Sequence, residues 1–90
     1  MDYYEHYLGK LRAFVERGPA ANQVLPILEL LNEFPTETRF QMVQELERLL
    51  RDADPAIVDW EACHRYVKET VAETEDPAEL GRRLRAIAGL

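Results

Sequence analysis

Cys63 and His64 are adjacent, and a nucleophilic mechanism in this chain would have to begin with them. A thiolate nucleophile needs a base within hydrogen-bond reach. Adjacent residues on a helix point about 100° apart, so this pair does not face itself. The other histidine, His6, lies far away in sequence. Cys63 also falls on an apolar helical stripe, where a free cysteine behaves as a small buried hydrophobe. The chain has no serine, which removes a serine nucleophile. Two histidines and one cysteine cannot close a zinc site without carboxylates, and no pair of them has ligand spacing. Gly9, Gly18, Gly81 and Gly89 are isolated, so no glycine-rich loop is present to cradle a phosphate. The pairs Glu45/Glu47 and Glu73/Glu75 point to different sides of a helix and read as solvated charge. We therefore expect no enzyme: no catalytic residue, no metal site, no cofactor and no small-molecule substrate.

Two other groups could recognise a partner. Gln41, Gln44, Arg48 and Arg51 gather on one side of a helix, and such side chains can read base edges in a major groove. Glu37, Glu45 and Glu47 share or border that side, which makes a solvated face the better reading. The second group is aromatic. Tyr3, Tyr4 and Tyr7 crowd the first turn and a half of a short helix whose core side could be filled by Leu8, Leu11, Phe14 and Val15. Tyrosine is enriched at interfaces because the phenol has an apolar body and a polar tip. Trp60 opens a helix, where its indole N–H could reach solvent. Tyr3, Tyr7 and Trp60 are the candidate interface residues.

The elements that must position these groups are marked by clear punctuation. Asp2 followed by Glu5 has capping-box spacing and opens a helix over 2–17 that Gly18-Pro19 closes. Its apolar residues, from Tyr3 to Val15, occupy a stripe roughly 140° wide. A second helix over 22–34 starts near Asn22 or Gln23, keeps Pro26 in its first turn and stops at Pro35. Apolar residues cover well over half of its circumference, which predicts a central position. Thr36 can cap a third helix over 36–52. Asp54-Pro55 predicts a turn or short helix, and Asp59 a cap for a helix over 59–74. Asp76-Pro77-Ala78-Glu79 combines cap, first-turn proline and acid, and opens a helix over 77–88. The expectation is an all-α fold, an irregular compact bundle of four to five short helices forming one domain over 1–90.

This order of segments resembles that of an uncharacterised actinobacterial family of small helical proteins, domain of unknown function 3349. The resemblance rests on LPILELL at 25–31, ELERLL at 45–50, Ile57-Val58-Asp59 before a helix, and DPAELGRRLRAIAGL at 76–90. It implies a helical fold and carries no activity or functional residue.

Charge and composition narrow the classes further. The net charge is −6, and residues 53–75 hold six acids against two bases. Phosphate repels such a surface, so nucleic acid is disfavoured as a partner. No apolar run approaches the roughly 18 residues of a membrane span. The N-terminus lacks the basic-then-apolar pattern of a secretory leader. A single cysteine suits a reducing compartment, so the expected location is cytoplasmic and no membrane partner is expected. The reading that follows is a non-catalytic protein-interaction module, a small adaptor, inhibitor or homo-oligomer. Its alternative is a DNA-binding regulator using helices 22–34 and 36–52 as a helix-turn-helix-like pair.

Overall fold

Side-chain caps, prolines and one glycine set several of the helix ends. The computed structural model describes residues 3–71 and 76–90. Five α-helices are present among the described residues: α1 Tyr3–Glu16, α2 Ala21–Leu30, α3 Thr36–Asp52, α4 Trp60–Thr70 and α5 Pro77–Ile87. No strand occurs among the described residues, and the fold is all-α as expected. The capping box at Asp2 and the stretch expected to carry α4 to residue 74 lie outside the described residues.

Two caps form as the sequence predicts. The Asp59 side chain accepts from the Ala62 N–H, and the Asp76 side chain accepts from the Ala78 N–H, each at 3.0 Å. Thr36 is not a cap. Pro35 holds that position with φ −54° and ψ 146°, so the chain enters α3 already extended and Thr36 is the first helical residue. The second helix starts at Ala21, where the Ala20 carbonyl accepts from the N–H groups of Gln23 and Val24. Pro26 therefore sits one or two residues deeper than expected, as the sixth helical residue, and α2 continues past it.

The α-helical part of α2 stops at Leu30 and tightens into a 3-10 turn over Leu31–Glu33. Phe34 then becomes extended, at φ −76° and ψ 154°, because the following proline ring disfavours helical backbone before it. Arg39 from α3 closes the exposed carbonyls of this turn, donating from Nε to the Phe34 oxygen at 2.8 Å and from Nη2 to the Asn32 oxygen at 2.9 Å. At the far end, Gly89 takes φ 81°, Leu90 donates to the Arg85 carbonyl and Gly89 to that of Ala86. This is a Schellman closure of α5, and its left-handed residue favours glycine.

The helices form a closed ring in which each packs mainly on two others: α1 on α2, α2 on α4, α4 on α5, α5 on α3 and α3 on α1. One continuous apolar core fills the ring, with Ile27, Leu28, Leu31, Phe34, Met42, Val43, Leu46, Leu49, Val67, Leu80 and Leu84 almost fully enclosed. No polar or charged side chain is buried among the described residues. α2 and its 3-10 turn supply three of these enclosed side chains, Ile27, Leu28 and Leu31, and α3 supplies four, Met42, Val43, Leu46 and Leu49, so the central position predicted for the second helix is shared with α3.

Candidate interaction surface

A helix in such a ring needs only one narrow stripe for the core, and α1 carries two. Tyr4, Leu8, Leu11 and Val15 are buried. Tyr3, Tyr7, Lys10 and Phe14 repeat the same 4-3-4 spacing one residue earlier, and they form a neighbouring stripe on the outer flank. That spacing is how a helix presents a seam to another helix. Tyr3 is 77% exposed and Phe14 is 65% exposed, while Tyr7 is half-buried. Phe14 was expected to fill the core and does not. Periodicity places it on the apolar side of α1, but α2 and α3 cover only the part of that side centred on Leu8.

The third helix completes the surface. Phe40 is 39% exposed, and its ring lies against Tyr7 with centroids 5.6 Å apart and planes at 46°. This tilted geometry is favourable for an aromatic pair. One turn or more further along, a hollow of about 230 Å³ opens between α1 and α3. Tyr7, Leu11, Phe14 and Leu50 give it apolar walls, and Lys10, Glu47 and Arg51 form its polar rim. Arg51 pairs with Glu47 at 2.7 Å, whereas Lys10 forms no ion pair among the described residues. Among the described residues, three of the five large hydrophobic residues that are exposed, Tyr3, Phe14 and Phe40, belong to this one face. Clustering of this kind marks contact sites in soluble proteins.

Of the three candidate interface residues, the structure brings Tyr3 and Tyr7 together and separates Trp60. The Trp60 ring is 4% exposed and sits in α4, which packs on α2 and α5. Its Nε1–H donates to the Pro55 carbonyl at 3.0 Å, so the indole proton is satisfied within the 53–59 turn rather than by solvent. The same turn is braced by the Asp54 carboxylate, which accepts from the Ala56 N–H at 3.0 Å. Phe14, Phe40 and Leu50 are the surface residues that the sequence reading missed. Their signal was the continuation of the Tyr3–Tyr7 spacing to Phe14, although Lys10 interrupts its apolar character.

The remaining candidates stay apart. Cys63 is enclosed, and burial, reinforced by the nearby Asp59 charge, pushes its thiol up to about 11. It therefore stays protonated near neutrality, the opposite of an activated nucleophile. No group of three or more His, Cys, Asp or Glu side chains is placed to hold a metal ion among the described residues. On the polar side of α3, Arg48 pairs with Glu45 at 3.3 Å and Arg51 with Glu47, so both guanidinium groups already have a carboxylate partner within the helix. Arg85 likewise meets Asp52 at 3.1 Å, and Arg83 meets Glu79 at 3.7 Å. No described helix is long and apolar enough to cross a membrane. Comparison of the chain with protein-family models, curated proteins and solved structures finds no match.

Proposed function

We propose that this protein is a non-catalytic interaction module and that it binds a protein through the α1/α3 face. The observation that carries this reading is the outer stripe of α1, where Tyr3 and Phe14 stand exposed and Phe14 with Tyr7 walls an apolar hollow. Leaving two large rings in water forfeits roughly 1.5–3 kcal/mol each relative to burial, which a binding partner would recover. Nothing in the ring of helices requires those rings for folding, because Tyr4, Leu8, Leu11 and Val15 already supply the core stripe of α1. A cytoplasmic setting belongs to the same proposal and rests on the single, unpaired Cys63. Recognition of DNA by α3 has weaker support, since both arginines on its polar side are already paired with glutamates.

Site-specific photo-crosslinking tests the reading. A photoreactive phenylalanine analogue at position 14 should give a covalent protein adduct, and the same analogue at exposed position 69 on α4 should not. Equal yields from the two positions, or no adduct from position 14, would contradict it.

A further inference from the structure

We propose that the occupant of the α1/α3 face is a second copy of this chain, joined through antiparallel α1 helices in a two-fold dimer. The inference rests on the interaction reading above and adds the identity and geometry of the partner.

Shape supports a self-partner first. A two-fold interface uses one patch twice, so that patch must hold both its own projections and its own recess. Phe14 and Tyr3 project from α1, and the hollow lined by Leu11 and Leu50 lies beside Phe14. A recess of about 230 Å³ exceeds the roughly 150 Å³ that takes a benzene ring, so an aromatic side chain fits.

Charge then fixes the direction. With parallel α1 helices in register, Lys10 would meet Lys10 of the second copy. Running antiparallel, the 4-3-4 seam instead sets Tyr3 against Phe14 and Tyr7 against Lys10 of the second copy. That places an ammonium group over an aromatic ring, a favourable contact. The rim also carries both signs, so Glu47 of one copy can face Lys10 of the other. A strongly acidic or strongly basic partner would meet a like charge somewhere on this rim.

Area sets the expected strength. Helices of 14 and 17 residues lying side by side present a face of about 25 by 20 Å, or about 1,000 Å² over two copies. That lies at the weak end of specific interfaces, so the dimer should form in the range of roughly 10–500 µM. Each copy carries −6, and the core of the contact is apolar. Added salt should therefore tighten the dimer by screening the repulsion between copies.

Sedimentation equilibrium of the whole chain from about 5 µM to 1 mM tests this, with circular dichroism confirming helicity throughout. The expected mass rises from 10.5 kDa toward twice that value, with a lower midpoint at high salt. Tyr3→Ser/Phe14→Ser should raise the midpoint at least tenfold, and Lys10→Glu should raise it severalfold by setting a carboxylate against Tyr7 and Glu47 of the second copy. Ile57→Ser, which removes an equally exposed side chain elsewhere, should leave the midpoint unchanged. A chain that stays monomeric at 1 mM overturns the dimer. So does a dimer indifferent to Tyr3→Ser/Phe14→Ser, or one that dissolves as salt rises. If the chain is monomeric yet position 14 still crosslinks to a different protein, only the second copy is rejected and the interaction module stands. If crosslinking fails as well, both fall.

Discussion

On its α5 side, α3 is sealed; on its α1 side, it is left open. The sealed flank has a glycine, Gly81, facing Glu45, whose carboxylate lies where a Cβ at position 81 would go. The missing side chain lets α5 come close, Leu80 and Leu84 are fully enclosed, and Arg85 reaches Asp52 across the gap at 3.1 Å. The open flank has Phe40 and Leu50 facing Tyr7 and Phe14, with a hollow between them. One helix thus shows two treatments of apolar surface. Where the fold needs closure, a small residue removes the gap and an ion pair brackets it. Where large rings remain in water, the ring of helices itself supplies no closure.

The largest effect should come from the sealed flank. Leu84→Ala, or Leu46→Ala in the centre of α3, should cost about 2–5 kcal/mol of unfolding free energy in urea titrations. A loss below 1 kcal/mol at both sites would mean that the enclosed side chains are not the core.

Next comes the pH dependence of the closed core, through Cys63. Its folded-state value is raised from 9.0 to about 11, because burial and the Asp59 charge disfavour the thiolate. The unfolded chain therefore releases this proton first. The thiol's contribution is fully present below pH 9 and is lost as pH rises through about 11. The loss should be on the order of 2–3 kcal/mol, read as the difference between wild type and Cys63→Ala in chemical unfolding at each pH. Parallel curves for the two proteins would show that the site is wet. Alkylation of the native thiol near neutral pH should likewise be slow.

A smaller effect sharpens the comparison from the glycine side. Gly81→Ala gains about 1 kcal/mol of helix propensity but forces the Glu45 carboxylate aside. The end of a glutamate is flexible, so the net change should lie within about 1 kcal/mol of zero. In a Glu45→Ala background the same substitution should become stabilising, and a double-mutant cycle would report that coupling. Additive effects would contradict the close approach of α5 to α3.

Much of the fold was legible because helix ends are local chemistry. Asp59 and Asp76 could be named as caps from sequence alone, and both side chains make the expected bond. Thr36 misled because a preceding proline already supplied the extended entry into α3. The Gly89 closure of α5 went unread, since an isolated glycine near a chain end has no distinguishing neighbour until its φ is known. The site was half legible. Tyr3 and Tyr7 share a stripe by spacing alone, but the choice between core and surface at Phe14 depends on how far α2 and α3 reach around α1. Trp60 failed for a different reason. The turn at Asp54-Pro55 was recognised, but not that its proline carbonyl folds back onto the indole.

α1 thus carries a core stripe, Tyr4, Leu8, Leu11 and Val15, and a separate exposed stripe marked by Tyr3 and Phe14. The unfolding free energy of Tyr3→Ser/Phe14→Ser, measured by urea titration at low micromolar concentration where the chain is monomeric, tests this division most directly. Both residues are exposed, so the double variant should match wild type within about 0.5 kcal/mol. A loss of about 2 kcal/mol or more would place these rings in the core and remove the contact surface.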